Sequence, residues 1–382
     1  MGIIIFQIFV VYLFLLVSCS AQKNVPAVFT FGDSLVDVGN NNNLQTVAKA
    51  NFLPHGLDFG NNPTGRFSNG RIVVDIIQTY SSMDAKFLLF SYFLMTEQEM
   101  GLKNFTPPYL AATAAGDNLL QGVNYVSSGS GISNFTGFLF GDRINFDTQI
   151  SNHGKTAQAI MSRIGIPAAQ KLLRKAIYVV VIGSNDIMFK EFEPMAMSEE
   201  AYLHILAAIK KLEAHTLRKI PLQTLYNLDA RKIMVSNVAL VGCTPFEKDI
   251  HPVEKGSCAR MLNKMAQIYN KKLKGMLAEL NKELQGAKFV YADIYQILQD
   301  LTQNYASYEF EVATSACCVF AGSRGGLVPC NPLSKVCPNR SKYVFWDPFH
   351  LTDAACVVAT RHIMDSYVTY MSPMNLRQLV QS

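Results

Sequence analysis

The sequence is poor in charge for its length. Of its 382 residues only 16% are charged, and 34 lysines and arginines against 29 aspartates and glutamates leave a formal net charge of +5. The basic residues are scattered, as at Lys210–Lys211 and Lys271–Lys272, and no aromatic residues are interleaved with them. Because nucleic-acid-binding surfaces concentrate basic side chains on one face, we interpret these pairs as solvated helix faces and expect no nucleic-acid partner.

Long apolar runs are missing except at the start of the chain. The first residues read MGIIIFQIFVVYLFLLVSCSAQ, an uncharged apolar stretch followed by small residues at Ser18, Ser20 and Ala21. This pattern predicts a secretory signal peptide over residues 1–21, although the usual positive charges before the apolar stretch are lacking. An uncleaved anchor helix is the alternative. No other stretch is long enough to cross a bilayer, so no stable membrane span is expected in the mature protein.

Paired Cys-x-x-Cys or His-x-x-x-His motifs, which would indicate a zinc site, are also missing. Cys19 falls in the predicted signal peptide, and the remaining cysteines are Cys243, Cys258, Cys317, Cys318, Cys330, Cys337 and Cys356. All but Cys356 cluster in two segments, which favours local disulfides in an oxidising compartment. One bridge could join Cys243 to Cys258, the second cluster could hold two, and Cys356 is expected to be a buried thiol within a helix. Three candidate glycosylation sites also suit a secreted glycoprotein, at Asn104, Asn134 and Asn339.

Short β-rich runs alternate with helical patterns along the chain. The runs that predict strands are 27–31, 177–182, 232–238, 288–292 and a shorter one at 342–345. The segments that predict helices are roughly 71–79, 155–174, 202–227 and 259–284. Several of the strands are apolar almost throughout, as strands covered on both faces must be. This alternation predicts an α/β fold in which a parallel sheet lies between layers of helices, in one domain.

Polar motifs follow several of the predicted strands. Gly-Asp-Ser at 32–34 follows the first, Gly-Ser-Asn-Asp at 183–186 follows the second, and FWDPFH at 345–350 follows the last. Each motif is weak alone, because Asp and Ser also cap helices and Gly-Ser-Asn-Asp also makes good turns. The Gly-x-Ser-x-Gly elbow of conventional α/β-hydrolases is absent. Chemistry nevertheless gathers at the carboxyl ends of parallel strands, so these motifs are expected to converge.

Together these residues supply every group that acyl transfer requires. Ser34 would be the nucleophile and His350 the base that takes its proton, while Asp347 would hold the imidazole in the right tautomer. The backbone N–H of Ser34, the backbone N–H of Gly129 and the side-chain amide of Asn185 would form an oxyanion hole. This chemistry needs no metal or organic cofactor.

The other histidines offer one rival to this base. His362 lies three residues before Asp365, but the surrounding AACVVATRHIMDSYV predicts a helix and favours a surface pair. The remaining histidines have no neighbouring carboxylate arrangement and are expected to be structural; they are His55, His153, His204, His215 and His251.

Four blocks appear in order along the chain: FGDSLVDVGNNN, GVNYVSSGSGI, VIGSNDI and FWDPFHLTDAA. They resemble those of the GDSL esterase/lipase family of SGNH hydrolases, most closely its secreted plant branch, and the resemblance covers residues 25–378. It implies a flavodoxin-like three-layer sandwich with a parallel sheet of about five strands. It also implies that the asparagines at 40–42 are a family signature, for which we expect a structural role in the loop after the nucleophile. By the same resemblance the catalytic roles fall on Ser34, Gly129, Asn185, Asp347 and His350.

The chain departs from the family pattern at single positions and in one segment. Ser128, Val126, Leu351 and Cys356 stand where plant members commonly carry glycine, alanine, proline and asparagine. Residues 79–98 form an atypical insert whose apolar core, FLLFSYFLM, is too short to cross a membrane. The insert is either an apolar lid or patch for lipid surfaces, or the product of a retained intron or faulty gene model.

The sequence therefore predicts a secreted serine esterase or lipase that hydrolyses carboxylic esters of lipids or small acyl alcohols through an acyl-enzyme on Ser34. Deacetylation of wall polysaccharide, or acyl transfer to an alcohol, is an alternative on the same site. A non-catalytic extracellular binding protein on the same fold is a second alternative. An extracellular location is expected, and the mild positive charge is compatible with the cell wall. The identity of the ester and the oligomeric state do not follow from the sequence.

Overall fold

A five-stranded sheet lies at the centre of the protein, in the strand order β1-β2-β3-β4-β9. The computed structural model describes residues 25–82, 105–111, 113–189, 219–251, 258–366 and 369–382. The strands in this part of the chain are β1 (Val28–Gly32), β2 (Ile177–Val181), β3 (Lys232–Ser236), β4 (Lys288–Ala292), β5 (Val312–Ala316), β6 (Cys318–Val319), β7 (Lys335–Val336), β8 (Tyr343–Phe345) and β9 (Met371–Ser372). Strands β1 to β4 are parallel, and β9 runs antiparallel to β4.

The central strands are covered on both faces. Every residue of β1 and of β2 is buried. Because successive side chains of a strand point to opposite faces, this burial requires other elements on each side of the sheet. The α/β class and its mainly parallel sheet agree with the sequence. The fifth strand is β9, however, which no pattern predicted, and the predicted strand at 342–345 forms β8, which pairs with β5 outside the central sheet.

The helices of the described residues fill the connections between these strands. They are α1 (Val73–Ser82), α2 (Phe146–Ile164), α3 (Ile166–Lys175), α4 (Ser184–Met188), α5 (Lys219–Asn227), α6 (Pro245–Ile250), α7 (Arg260–Glu283), α8 (Ile294–Gln303), α9 (Asp353–Asp365) and α10 (Leu376–Gln381). Single 3-10 turns occur at Asn40–Asn43, Gly116–Gln121, Phe138–Phe140, Val241–Cys243, Tyr305–Tyr308 and Arg340–Lys342. Helix α7 matches the predicted 259–284 within one residue at each end.

The predicted helix at 155–174 is two helices. The first, α2, begins nine residues earlier, where the side chain of Asn145 accepts a hydrogen bond from the backbone N–H of Thr148. Gly165 ends α2 with a φ of 80°, and Pro167 lies in the first turn of α3. Proline suits a first helical turn and glycine readily adopts a positive φ, so the break has a local cause that periodicity alone did not reveal.

The sheet brings three chain segments to one edge. Gly32 at the end of β1 pairs with Val181 at the end of β2. On the other side of β1, the backbone N–H of Thr30 donates to Val123 O at 3.1 Å and that of Tyr125 donates to Thr30 O at 2.8 Å. The segment that follows Tyr125 therefore leaves the sheet beside the residues that follow β1.

Three disulfides tie the loops near this edge: Cys243–Cys258, Cys317–Cys337 and Cys318–Cys330. The first is the predicted bridge, and the other two resolve the pairing in the second cluster. Cys356 is a free, buried thiol within α9, as expected, and burial raises the pKa of that thiol well above its ordinary value.

Some predicted features lie outside the described residues. They include the signal peptide at 1–21, the helix segment at 202–218, and the insert at 79–98 beyond its first four residues, which end α1. Among the residues that are described, no helix combines the length and the apolar character that a membrane crossing requires.

Candidate active site

The turn after β1 presents Ser34 at the edge of the sheet. Gly32 has a φ of 151°, and a Cβ on it would lie 2.0 Å from the carbonyl oxygen of Val181, so a larger residue would push β1 away from β2. The side-chain amide of Gln149 holds Gly32 on both backbone groups, at 2.8 and 2.9 Å. The backbone N–H of Asp33 donates to Val181 O at 3.1 Å, and that of Val36 donates to Asp33 O at 3.0 Å. This turn leaves Ser34 half-buried and facing the chain that follows β8.

Ser34, His350 and Asp347 form one hydrogen-bonded chain. His350 Nε2 lies 2.7 Å from Ser34 Oγ, and His350 Nδ1 lies 2.8 Å from both carboxylate oxygens of Asp347. An ionised carboxylate can only accept, so Nδ1 carries the proton and Nε2 is free to accept from the Ser34 hydroxyl. This is the tautomer that a general base next to a serine requires.

Asp347 is held as a charged carboxylate. Its side chain is buried, and burial alone would raise its pKa, but the charge and hydrogen bond of His350 outweigh burial and hold the pKa below its ordinary value. The backbone N–H groups of Phe349 and His350 also donate to Asp347 Oδ1, at 2.9 and 2.8 Å. These donors fix the carboxylate against the imidazole.

The turn that carries His350 is closed by backbone bonds. The N–H of Trp346 donates to His350 O at 2.8 Å, and Phe345 and Leu351 form an isolated antiparallel bridge. Thr352 then caps α9, because its hydroxyl accepts from the N–H of Ala355 at 3.2 Å. Leu351, in the place of the usual proline, takes part in the closure of the turn and does not interrupt it.

The other two predicted oxyanion-hole donors, Gly129 and Asn185, lie on a loop and in a short helix. Gly129 has a φ of 81°, a conformation that favours glycine, and Asn185 lies in the first turn of α4. Asn185 Nδ2 donates to Ser130 O at 2.8 Å, which ties α4 to the loop that contains Gly129. Within the described part of the chain, the backbone N–H groups of Ser34 and Gly129 have no hydrogen-bond acceptor.

Asp37 and the asparagine tract brace the loop around Gly129. Asp37 Oδ2 accepts from the backbone N–H of Ser128 at 3.0 Å and from its hydroxyl at 2.7 Å. Asn40 Nδ2 donates to Val126 O at 2.8 Å, and Asn41 Nδ2 donates to Ser128 O at 3.0 Å. The tract therefore has a structural role, but on the Gly129 loop and not only, as expected, in the loop after the nucleophile. The hydroxyl of Ser128 adds a bond that the more usual glycine could not make.

Two further carboxyl groups lie under the site. Asp186 accepts from the N–H groups of Ile132 and Ser133, at 2.8 and 2.9 Å, and so holds the continuation of the Gly129 loop. Asp33 is buried, and among the described residues its Oδ2 has no hydrogen-bond partner. Burial raises the pKa of Asp33 to about 7, and the nearby charges of Asp186 and Asp37 add to the shift. Sequence reasoning assigned neither carboxyl a role.

The histidines for which the sequence predicted no catalytic role have different surroundings. His362 bonds Tyr308 at 3.1 Å, while Asp365 pairs with Arg377, so the rival His362–Asp365 pair does not form. His153 is buried in the core next to Tyr125. His55, in contrast, lies directly behind the Asp347–His350 turn, and no pattern in the sequence indicated this position. His204 and His215 lie outside the described residues, as does the candidate glycosylation site Asn104; Asn134 and Asn339 are exposed.

Comparison with known proteins agrees with this geometry. The family model of the GDSL-like lipases/acylhydrolases matches residues 28–363. A GDSL esterase/lipase of Arabidopsis thaliana is 46% identical over 368 residues, which cover 94% of this chain and 92% of the relative. Two further GDSL esterase/lipases of the same plant are 39% and 38% identical, over 92% and 95% of this chain and 87% and 93% of the relatives. The chain therefore belongs to the GDSL-like lipase/acylhydrolase family and is a serine esterase/lipase, a carboxylic ester hydrolase.

Proposed function

We propose that Ser34 is the nucleophile of this esterase, with His350 as its general base and Asp347 as the group that orients His350. The observation that carries the proposal is the unbroken chain of contacts, 2.7 Å from Ser34 Oγ to His350 Nε2 and 2.8 Å from His350 Nδ1 to Asp347. Ser34 Oγ attacks the ester carbonyl as its proton passes to Nε2. His350 then gives that proton to the departing alcohol, and a water molecule activated in the same way releases the acid from Ser34.

The oxyanion of the tetrahedral intermediate is stabilised by three donors in this proposal. The backbone N–H groups of Ser34 and Gly129 support it, because neither is committed to another acceptor among the described residues. Asn185 supports it because only one proton of its amide group is used, on Ser130 O. Removal of one such donor typically costs about 2.7–4 kcal/mol of transition-state stabilisation.

The proposal is tested by replacement of the nucleophile and the base. Ser34→Ala and His350→Ala should each abolish hydrolysis of short p-nitrophenyl esters, by roughly 10³-fold or more, with unchanged thermal unfolding. His362→Ala is the matched control, because His362 also bonds a hydroxyl, that of Tyr308, yet has no contact with Ser34. Its turnover should remain at the wild-type level. Turnover retained by Ser34→Ala would refute the assignment.

We infer further that the acyl part of the ester is apolar. Phe140 lies over Gly129, since a Cβ on that glycine would be 3.1 Å from its ring. A row of aromatic contacts runs from there towards the base: Phe140 to Phe189 at 4.9 Å between ring centroids, and Phe189 to Phe349 at 6.2 Å. Phe349 is adjacent to His350. Side chains of this kind suit an acyl chain better than a sugar or a charged group.

A panel of p-nitrophenyl esters of increasing acyl length tests this inference. The value of kcat/KM should rise from acetate towards medium chains, because each buried methylene contributes about 0.8 kcal/mol. Phe349 is too close to His350 for a clean variant, so Phe189→Ala is the variant of choice, and it should reduce the preference for long chains more than the rate on acetate. A preference for acetate over all longer chains would favour a deacetylase instead.

We propose an extracellular location for the mature enzyme. The three disulfides support it, because such bonds persist in oxidising compartments. The exposure of Asn134 and Asn339 supports it as well, since glycans are attached to surface asparagines of secreted proteins. The signal-peptide pattern at 1–21 is the third support.

A further inference from the structure

Trp346, which directly precedes Asp347, lies in a closed ring of contacts. Its indole Nε1–H donates to His55 Nδ1 at 3.1 Å, and its backbone carbonyl accepts from the N–H of Cys318 at 2.7 Å. Cys318 is joined by a disulfide to Cys330, whose backbone lies close enough to the ring of His55 to raise its pKa. The path from His55 through Trp346, Cys318 and Cys330 therefore returns to His55.

The protonation state of His55 is consistent with this closed set of contacts. An indole N–H can only donate, so Nδ1 of His55 accepts, and the single proton of the neutral imidazole is left on Nε2. Burial lowers the pKa of His55 to about 4, which keeps the imidazole neutral at neutral pH.

Two routes connect His55 to the base. The first is through Trp346, whose backbone N–H donates to His350 O at 2.8 Å. The second is through Phe67, whose ring lies 5.8 Å from His55 and 4.8 Å from His350, measured between ring centroids. His55 and Trp346 are both buried, at 1% and 0% exposure, so neither can contact an ester directly.

We propose that His55 is a positioning residue, which fixes the Asp347–His350 turn through Trp346 and the Cys318–Cys330 disulfide. The proposal rests on the function proposed above for Ser34, His350 and Asp347. It assigns a role to a buried histidine that accepts a hydrogen bond from Trp346, where an apolar side chain would fill the same space. Loss of the ring of contacts lets the imidazole of His350 move relative to Ser34 Oγ.

The test is His55→Phe, which keeps an aromatic ring and removes the acceptor of the Trp346 hydrogen bond. We expect kcat to fall about 10- to 100-fold while KM changes less than about twofold, because small displacements of reacting groups reduce the rate and not the binding. His153→Phe is the matched control, because His153 is also fully buried and its Nδ1 bonds one aromatic partner, Tyr125 OH at 3.2 Å. It should reduce thermal stability and leave kcat within about twofold of wild type.

Trp346→Phe is a second variant, since it removes the indole donor and leaves His55 in place. It should lower kcat in the same direction, and the double variant His55→Phe/Trp346→Phe should lose little more than His55→Phe alone, because the two changes break one interaction. If His55→Phe does not fold, Trp346→Phe tests the proposal by the same comparison: kcat should fall while KM changes little. His55→Asn, which keeps an acceptor near the place of Nδ1, should recover part of the lost kcat.

The outcomes separate this proposal from the function on which it rests. If Ser34→Ala keeps its turnover, the proposed function fails. If Ser34→Ala is inactive but His55→Phe or Trp346→Phe keeps wild-type kcat, the function stands and the positioning role is overturned. Equal losses of kcat in His55→Phe and His153→Phe would likewise overturn it, since they would show a general effect of core disruption.

Discussion

At the scale of the residue, Asp33 makes stability depend on pH. Its pKa is about 7 in the folded protein, raised chiefly by burial, against 3.8 in an exposed chain. Between these values the folded state holds a proton that the unfolded state has lost, so stability falls as pH rises from about 4 to about 7 and is level above that range. Asp33, which is adjacent to the nucleophile in the chain, therefore destabilises the folded state at neutral pH.

Asp33→Asn should remove this loss, because the amide resembles the protonated carboxyl. Relative to wild type, the variant should become more stable between pH 5 and pH 8 by on the order of 2–3 kcal/mol, measured as the free energy of unfolding in urea. Asp249→Asn is the control, because the pKa of Asp249 is shifted in the opposite direction. The donors around Asp249 outweigh its burial and lower its pKa. The cost of that change should be the same at both pH values. An equal effect of Asp33→Asn at pH 5 and pH 8 would mean that Asp33 is ionised throughout.

Individual residues also show what the sequence could and could not predict. Ser34 and Asn185 could be predicted as site residues because each lies in a motif that follows a strand of the central sheet. Asp347 and His350 follow β8, which lies outside that sheet, so the sheet alone does not predict their contact with Ser34. His55 was not found, because its contact with Trp346 spans 291 positions and has no local pattern. Side chains that act through a distant partner leave no periodic or spacing signal in a single sequence.

At the scale of the element, the segment that leads into α1 is fixed by two arginine–aspartate pairs of different depth. Arg66 donates to both oxygens of Asp75 at 2.8 and 2.7 Å, and the two side chains are 5% and 0% exposed. Arg71 donates to both oxygens of Asp353 at 2.9 Å, and both side chains are 20% exposed. The second pair joins the start of α1 to the start of α9, just after the His350 turn.

Arg66→Met should destabilise the protein by about 3–5 kcal/mol, because it removes one partner of a buried ion pair. Arg71→Met is the matched variant, and its cost should be smaller, about 1–2 kcal/mol, because Asp353 can regain water. Urea denaturation of the two variants measures both costs. A loss for Arg71→Met as large as that for Arg66→Met would contradict the role assigned to burial.

Two features of the secondary structure were not predicted from the sequence pattern: the break between α2 and α3, and strand β9. The split between α2 and α3 is set by Gly165 and Pro167, two residues whose effect is local and readable, yet the apolar periodicity continues across them. The strand β9 has only two residues, Met371–Ser372, and pairs with β4 through tertiary contacts. A strand of two residues is too short to show an alternation of apolar and polar side chains.

At the scale of the whole molecule, the disulfides connect loops that carry little regular structure. Replacement of Cys243 and Cys258 by serine removes a link between positions 15 residues apart. This should cost about 3 kcal/mol of unfolding free energy, chiefly through the greater freedom of the unfolded chain.

Peptide mapping without reductant should recover the three bridges, and Cys356 should react with a thiol reagent only after unfolding, since it is buried in α9. Alkylation of Cys356 in the native protein would contradict that placement.

The organisation of the whole chain remains in part a prediction. The family model matches residues 28–363, and the single domain predicted over residues 25–378 stays a prediction. The insert at 79–98 lies for the most part outside the described residues, so its interpretation as a lid or as a product of a faulty gene model stays open to peptide mass spectrometry.

The contact between Ser34 and His350 joins positions 316 residues apart, and this separation has a consequence for biosynthesis. A ribosome that adds about 5–20 residues per second needs roughly 15–60 s to pass from one to the other. With the roles proposed above, the nascent chain holds the nucleophile without its base during that interval. Hydrolysis can therefore begin only after His350 has been added and the segments that follow it have folded.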